Sequence, residues 1–175
     1  MSLNLEQKKA VVAEVAQVAA SAHSAVAAEY RGLTVAQMTE LRRKAREAGV
    51  YLRVVKNTLA RRALEGTDFA CMRDGLTGPL LLAFSQNDPA SAARVVRDFA
   101  KAHDRLVPRM VALGGQVYDG SELDRVASLP TYDEAISMLM AVMKAPVEKL
   151  ARTLNEVPGK LVRTVAAIRD QKQAA

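Results

Sequence analysis

The chain of 175 residues is half hydrophobic and one quarter charged, and its formal net charge at pH 7 is +6. The length suits one packed domain with an appendage, and the hydrophobic fraction excludes a chain that is disordered by composition. Aromatic residues form only 4% of the chain, which argues against a surface that stacks single-stranded bases, while the basic balance points to an acidic partner such as nucleic acid.

The first part of the chain predicts a helix and then a strand. Asn4 is expected to begin the helix, because Val11 and Val15 follow at helical spacing. Residues 24–30 (SAVAAEY) are short and apolar and predict a buried strand. The first residues carry early charge and no apolar run of secretory length, so we expect a soluble, cytosolic protein without a membrane span.

Two more helices enclose a second strand. Thr34 is placed to cap a helix that runs to Ala48, and a glycine follows as is typical of helix ends. Residues 50–55 (VYLRVV) alternate and are rich in β-branched side chains, which predicts a strand. Asn57 or Thr58 is then expected to cap a third helix.

An irregular segment is expected at residues 67–78. It contains Cys71, the only cysteine, which we expect to pack in the core beside Phe69 and Met72. A single cysteine excludes a disulfide framework and fits a reducing compartment. The apolar run that follows, residues 79–84 (PLLLAF), predicts a central strand buried on both faces.

The last elements before residue 130 are a helix, a hairpin and a short helix. The helix begins at Asp88, the pair Gly114–Gly115 forms the hairpin turn, and Ser121 is expected to cap the short helix. Strands that alternate with helices of about 10 to 15 residues predict an α/β fold, with a small mixed or parallel sheet covered by helices. We expect this globular domain to span residues 1–130.

Residues 131–175 predict one long, kinked C-terminal α-helix with an apolar stripe. Apolar side chains recur there at steps of three or four residues, the spacing of one helix face. Pro146 and Pro158 are expected to kink the helix. Since no second amphipathic segment covers the stripe, we expect it to bind helices of partner proteins. The predicted partner-binding positions are Ile136, Met140, Met143, Val147, Leu150, Leu154, Val157, Leu161, Val165 and Ile168.

The stripe contains an internal repeat. Residues 149–154 (KLARTL) match residues 160–165 (KLVRTV) at a spacing of about three helical turns, so both copies present the same face. We interpret the repeat as a duplicated docking site. The alternative is an ordinary helix that packs on its own domain.

Positive charge is concentrated in residues 30–63. Nine cations stand there against Glu40 and Glu47, which gives the segment a charge of +7 and leaves the rest of the chain close to neutral. This concentration predicts a phosphate-binding surface. The predicted RNA-binding residues are Arg31, Gly32, Arg42, Arg43, Arg46, Arg53, Lys56, Asn57, Thr58, Arg61 and Arg62.

Two loops form the centre of this predicted surface. Arg31 and Gly32 follow the first strand, and Lys56 follows the second, so parallel strands would bring both loops to one edge of the sheet. Gly32 would let a nucleic-acid backbone approach closely. The alternative for the arginines of the intervening helix is a solvated charged face. Without aromatic platforms, the expected target is folded RNA recognised by its shape and its phosphates.

The sequence contains no motif that is typical of a catalytic site. It has no phosphate loop, no dinucleotide-binding motif and no nucleophile elbow, and His23 and His103 lie in different segments. We therefore expect a protein that is not an enzyme and that holds neither a cofactor nor a metal ion.

Several motifs carry a family resemblance: residues 30–34 (YRGLT), Leu41-Arg42, residues 54–59 (VVKNTL), Gly78-Pro79, residues 129–131 (LPT) and residues 160–164 (KLVRT). Together they resemble the bacterial ribosomal protein L-ten family, the stalk-base proteins related to eukaryotic P-zero. The resemblance covers essentially the whole chain.

The resemblance implies that the globular domain binds 23S ribosomal RNA at the GTPase-associated centre, beside ribosomal protein L-eleven. It implies that the C-terminal helix anchors dimers of the acidic stalk protein L-seven/L-twelve, which recruit translational GTPases, and, in many bacteria, that the complex represses its own messenger RNA. This chain carries two Lys-Leu-x-Arg-Thr units where shorter relatives have one. We therefore expect three docked dimers, near residues 133–144, 146–156 and 157–168.

Two other interpretations follow from the residues alone. One is a DNA-binding regulator with a basic α/β head and a dimerising tail helix. The other is a membrane-surface protein, but such a helix needs bulky aromatic anchors and the tail offers only Tyr132.

Overall fold

The structure, a computed structural model, describes residues 4–174 apart from the side chains of Val157 and Ala174. The chain divides into two units, Met1–Thr131 and Tyr132–Ala175. The helices and strands, in chain order, are α1 (Leu5–Ser21), β1 (Ser24–Glu29), α2 (Val35–Glu47), β2 (Val50–Val54), α3 (Asn57–Leu64), β3 (Leu80–Ser85), α4 (Ser91–Ala102), β4 (Val107–Leu113), β5 (Gln116–Asp119), α5 (Leu123–Ala127) and α6 (Tyr132–Ala174).

The five strands form one sheet in the order β2-β3-β1-β4-β5. Every neighbouring pair is antiparallel. The predicted α/β fold, with a sheet covered by helices and a long C-terminal helix, is confirmed, but the sheet is antiparallel where a mixed or parallel one was expected. Because β1 and β2 both pair with β3, they still run in the same direction on either side of it.

Helices cover both faces of the sheet, and this explains the long apolar runs of its strands. One core cluster contains Ala25, Leu82 and Phe84 and joins the sheet to α1 and α3. The other contains Val26 and Leu81 and joins the sheet to α2, α4 and α5. Alternate side chains of β1 and β3 therefore enter opposite clusters, and the predicted burial of the PLLLAF strand on both faces is confirmed.

The predicted starts of the first two helices are confirmed. Asn4 caps α1, and Thr34 caps α2 by accepting a hydrogen bond from the backbone of Gln37, which in turn binds the backbone of Thr34. Such reciprocal bonds satisfy amides that the first helical turn leaves without partners. The left-handed turns at Gly49 and at the pair Gly114–Gly115 are also as predicted.

Several local predictions were wrong. Residues Asp68–Gly75 form a 3-10 helix instead of an irregular segment. With three residues per turn, Phe69 and Met72 share its buried side, and Cys71 between them is exposed. Neither Asn57 nor Thr58 caps α3, because its cap position is Lys56 and carries no capping side-chain bond.

Two short helices also begin differently from the prediction. Helix α4 begins at Ser91, after Ala90, which lacks a capping side chain. The hydroxyl of Ser121 donates to the Asp119 carboxylate, and α5 begins after Glu122.

The second unit is a single helix of 43 residues, α6. It continues through Pro146 and Pro158, so the predicted kinks remain predictions. Pairs of opposite charge four residues apart, such as Lys144 with Glu148 and Lys160 with Glu156, stabilise its polar sides.

Candidate nucleic-acid interface and partner-binding helix

The two loops predicted to bind RNA lie at the same edge of the sheet. Glu29, the last residue of β1, pairs with Leu80 at the start of β3, and Val54 of β2 pairs with Leu81. Arg31 and Lys56 therefore follow strands that end together, two strand spacings or about 10 Å apart. We call this end of the sheet, where β1 and β2 end and β3 and β4 begin, the charged edge.

The segment before β3 joins the two loops of the charged edge. The side-chain amide of Asn57 donates to the carbonyl of Gly78 over 2.8 Å, and the backbone amide of Tyr30 donates to the carbonyl of Pro79 over 3.4 Å. Asn57 thus fixes the loop instead of projecting freely into solvent.

Two open depressions flank the Gly78-Pro79 segment. One, of about 590 Å³, is lined by Lys56, Asn57 and Thr58 among others. The other, of about 480 Å³, is lined by Arg31 and Thr77 among others. A cation therefore lines each of two concave surfaces that share this segment.

Five of the predicted cations are exposed and form no ion pair or side-chain hydrogen bond within residues 4–174: Arg31, Arg42, Arg46, Lys56 and Arg62. Their charge is available to an external anion. Two cations of α2 are paired on the surface, Lys44 with Glu40 over 2.8 Å and Arg43 with Glu47 over 3.7 Å. Exposed pairs of this kind are weak, so they leave these cations accessible.

Arg53 has an internal partner. It forms an ion pair with Glu14 of α1 and donates to the hydroxyl of Tyr51, which donates to Glu14 over 2.7 Å. The hydrogen bond from Arg53, and to a smaller extent that from Tyr51, holds the pKa of Glu14 below its ordinary value. The pKa of Tyr51 is raised, mainly by burial of its hydroxyl and secondly by its hydrogen bond to Glu14. The contacts give Arg53 a structural role between α1 and β2.

Arg61 also binds inside its unit. Its guanidinium donates to the backbone carbonyls of Arg73 and Leu76, over 3.2 and 2.9 Å, and so attaches the 3-10 helix to α3. The predicted surface is therefore not one continuous patch. Helices α2 and α3 pack on opposite faces of the sheet, which separates Arg42, Arg43 and Arg46 from Arg62. Arg46, in the last turn of α2, lies next to the loop 48–50 at the other end of the sheet, where Val50 pairs with Ser85.

The sequence-based prediction omitted Arg105, which lies beside the loop after β1. A Cβ atom added at Gly32 would lie 3.0 Å from both Cδ and Nη1 of the Arg105 side chain. The residue belongs to a short segment of ordinary composition, HDRL, and nothing in the linear sequence connects it with residue 32. The pairing of β4 with β1 would have revealed it, because Val107 lies opposite Glu29.

The apolar stripe predicted on α6 is exposed. Ile136 at the start of the stripe is 37% exposed, and Met143 and Leu154 are about 70% exposed. The same holds for Met140, Val147, Leu150, Leu161, Val165 and Ile168, whereas the side chain of Val157 lies outside the described part of the chain. Exposed apolar surface of this extent is typical of protein-binding sites.

Neither a metal site nor a membrane span is found in the part of the chain that the structure describes. No group of three or more His, Cys, Asp or Glu side chains there could hold a metal ion. None of the helices described there is long and apolar enough to cross a membrane.

Cations without acidic partners on one unit and an exposed apolar stripe on the other are typical of a scaffold protein in a nucleoprotein assembly. Comparison with known proteins makes this assignment specific. A family model described as "Ribosomal protein L10" matches residues 3–101, and a model described as "Ribosomal protein uL10 C-terminal region" matches residues 129–157.

Full-length relatives agree with the family models. Proteins named "Large ribosomal subunit protein uL10" are 74% identical in Thioalkalivibrio sulfidiphilus, 69% in Alkalilimnicola ehrlichii and 67% in Halorhodospira halophila. Each alignment covers all of this chain and 99% or 100% of the relative. The chain belongs to the ribosomal protein L10 family, and it is therefore a structural protein of the large ribosomal subunit and not an enzyme.

Proposed function

We propose that the chain forms the base of the large-subunit stalk. The unit Met1–Thr131 binds 23S ribosomal RNA at the GTPase-associated centre, beside ribosomal protein L-eleven, in the cytoplasm. Helix α6 anchors dimers of the acidic stalk protein L-seven/L-twelve, which recruit translational GTPases. Membership of the family supports this proposal. The observation that carries it is the charged edge, where exposed Arg31 and Lys56 lack acidic partners within the described residues.

The charged edge suits phosphates better than bases. Lys56 and Arg53 line one depression, and Arg31 lines the other together with the paired Arg109 and Glu29. Among the residues that line the two depressions, only Tyr30 is aromatic. Folded RNA presents backbone phosphates at fixed positions and is recognised largely by shape, so a rigid sheet edge with separated cations fits it. Arg42 and Arg46, in the second half of α2, offer further cations on one face of the sheet, away from the charged edge.

Charge reversal at Arg31 and Lys56 tests the RNA contact. The double variant Arg31→Glu/Lys56→Glu should bind a transcript of the GTPase-associated region much more weakly than the unaltered chain. The slope of log affinity against log salt should decrease by about one for each phosphate that is no longer bound. Fluorescence anisotropy at several salt concentrations measures both quantities.

Arg125→Glu is a control for the general effect of charge, because it reverses one exposed arginine on α5, outside the charged edge, where Arg125 pairs with Glu122. Equal affinity and equal salt slope for the double variant and the unaltered chain would place the RNA contact elsewhere.

The length of α6 supports three docking sites. Nine described stripe positions are exposed along it, and the KLARTL and KLVRTV repeats lie about three turns apart on one face. The neighbouring faces carry Lys149, Arg152, Lys160 and Arg163, which complement an acidic partner. We place one dimer on each of the segments 133–144, 146–156 and 157–168.

Native mass spectrometry of the reconstituted complex counts the dimers. Three docked dimers give a ratio of one chain to six copies of the stalk protein. Deletion of residues 160–170, one repeat length, should reduce the ratio to one to four. A ratio of one to four for the full chain contradicts the third site.

The same RNA-binding face would carry autogenous repression. A messenger-RNA segment that folds like the ribosomal site should compete with the rRNA transcript for the charged edge, and the Arg31→Glu/Lys56→Glu variant should bind neither RNA well. Competition anisotropy measures this, and retention of messenger binding by the variant contradicts a shared face.

The alternative, a DNA-binding regulator with a dimerising tail, predicts a different behaviour of α6. A tail of that kind self-associates, whereas a stalk anchor stays monomeric until the acidic protein is added. Analytical ultracentrifugation of residues 130–175 distinguishes them, and a stable tail dimer would count against the stalk base.

A further inference from the structure

We propose that Arg105 is a further RNA-contacting cation of the charged edge and that Gly32 serves to seat its side chain. This inference rests on the proposed function, since it extends the RNA surface from β1 to β4. It also changes the role of Gly32, which the sequence assigned to close approach of a nucleic-acid backbone.

Arg105 lies at the same end of the sheet as Arg31 and Lys56. β4 begins at Val107, opposite Glu29 at the end of β1, so the residues just before β4 lie next to the loop that follows β1. Strand order then arranges Lys56, Arg31 and Arg105 along one edge, after β2, after β1 and before β4. At the usual strand spacing this row is about 14 Å long, which is enough to reach several phosphates of one RNA backbone.

The two ends of the sheet differ in the charge of their loops. The loops at its opposite edge, residues 22–24, 48–50, 86–89 and 114–115, contain no Lys or Arg. Polar groups there bind inside the protein, as Ser24 does when its hydroxyl donates to the carbonyl of Pro89 over 2.6 Å. The loop cations of these strands therefore lie at the charged edge, and the cation nearest to the opposite loops, Arg46, belongs to the last turn of α2.

The charge of Arg105 has no acidic partner among the described residues. Its side chain is exposed and forms no ion pair within residues 4–174, not even with the neighbouring Asp104. The nearby acid Glu29 is already bound by Arg109 over 2.7 Å. The row ends at β5, where Asp119 accepts a hydrogen bond from Ser121.

The segment that bears Arg105 is held in place by hydrogen bonds and packing on both sides of the arginine. The backbone amide of Leu106 donates to the carbonyl of His103 over 3.1 Å, and the Leu106 side chain is buried. The His103 ring lies 4.4 Å from the ring of Phe99, centroid to centroid, and its Nδ1 lies 3.2 Å from the side-chain amide of Gln37. Gln37 also binds the backbone of Thr34, so one side chain ties the loops of Arg31 and Arg105 together.

Gly32 provides the space in which the Arg105 side chain lies. With φ of +90°, Gly32 adopts a conformation that other residues rarely accept, and an added Cβ would meet Arg105 at 3.0 Å. A side chain at this position would therefore require Cδ and Nη1 of Arg105 to shift by a few tenths of an ångström. Gly66 has almost the same φ, +86°, but nothing lies within 4 Å of its Cβ position. Gly66→Ala thus introduces backbone strain without moving a cation.

The experiment is a double-mutant cycle that measures the affinity of the whole chain for the transcript of the GTPase-associated region. Arg105→Gln should decrease the salt slope by about one and weaken binding about fourfold to fivefold at 0.15 M salt, as expected when one phosphate interaction is removed. Lys56→Gln should act similarly. Arg125→Gln removes the same charge from α5 and should change neither quantity.

The second half of the cycle tests Gly32. Gly32→Ala should weaken binding in the unaltered chain but cause no further loss in the Arg105→Gln background, while Gly66→Ala should leave binding unchanged. If Gly32→Ala weakens binding equally in both backgrounds, Gly32 acts on the RNA directly and the seating role is wrong. If Gly32→Ala does not fold, the Arg105→Gln measurement still decides the main claim.

The outcomes separate this inference from the proposed function. If the unaltered chain shows no salt-dependent binding, both fail. A second outcome is that the unaltered chain binds and Lys56→Gln lowers the salt slope, but Arg105→Gln behaves like Arg125→Gln. In that case the proposed function stands and the role of Arg105 is refuted.

Discussion

Arg53 shows why a cation in a basic segment need not face the ligand. Its partner Glu14 lies 39 positions earlier in the sequence and belongs to another helix, so no local pattern connects them. Asn57 is a similar case, because its side-chain amide donates to the Gly78 carbonyl and so fixes a loop of the proposed RNA surface. The sequence predicted the charge of this surface, but the tertiary contacts decide which charges are free.

The Glu14–Arg53 pair predicts a pH dependence of stability. Hydrogen bonds from Arg53 and Tyr51 lower the pKa of Glu14 in the folded state. The resulting stabilisation is fully present above the ordinary carboxyl pKa near 4.5 and is lost as the pH falls through the lowered folded-state pKa. Glu14→Gln should therefore decrease the free energy of unfolding at pH 7 and have progressively less effect in acid.

Urea unfolding at several pH values measures this difference. Asp74→Asn serves as the control, because Asp74 is exposed and forms no ion pair in the described part of the chain. A constant difference between Glu14→Gln and the unaltered chain down to strongly acidic pH would show that the pair contributes nothing through ionisation.

At the level of elements, local chemistry predicted helix starts and turns well. The caps at Asn4 and Thr34 and the hairpin at Gly114–Gly115 depend on neighbours within a few residues, which the sequence displays directly. Strand pairing depends on the whole chain. The run PLLLAF reports burial on both faces, and helices can cover both faces of a parallel or an antiparallel sheet, so the run could not fix the strand direction.

The same limit explains two misplaced residues. Cys71 lies in a run whose neighbours are apolar, but the 3-10 helix places only every third side chain inward. Arg105 became part of the candidate site only through the pairing of β4 with β1. Both outcomes depend on geometry that a sequence pattern does not determine.

The cap of α2 predicts a measurable loss of stability. Thr34→Ala removes the hydroxyl that accepts from the Gln37 amide over 3.3 Å. The free energy of unfolding should fall by about 1 kcal/mol, the usual value for such a cap. Thr39→Ala, in the exposed middle of the same helix, should be neutral or slightly stabilising, since alanine is the better helix former. Urea denaturation compares the two, and equal effects would contradict the capping role.

At the level of the whole molecule, the two units should unfold separately. Both core clusters lie within the unit Met1–Thr131, and the apolar stripe of α6 is exposed. A fragment of residues 1–131 should therefore have a Tm within about 3 °C of that of the full chain. A loss of about 1 kcal/mol in the free energy of unfolding would shift the Tm of a domain of this size by more than that. Near-UV circular dichroism follows the packing of the tyrosines and phenylalanines in this unit. A markedly lower Tm for the fragment would mean that α6 stabilises the first unit.

The exposed stripe of α6 has a consequence for how cells must handle this chain. Large apolar side chains left in water promote aggregation and attract proteases and chaperones. A copy made in excess of whatever covers the helix is therefore a hazard, so its synthesis has to be matched to that of its companions. We expect that expression of the chain alone gives inclusion bodies or rapid turnover, and that co-synthesis of the covering protein restores a soluble pool.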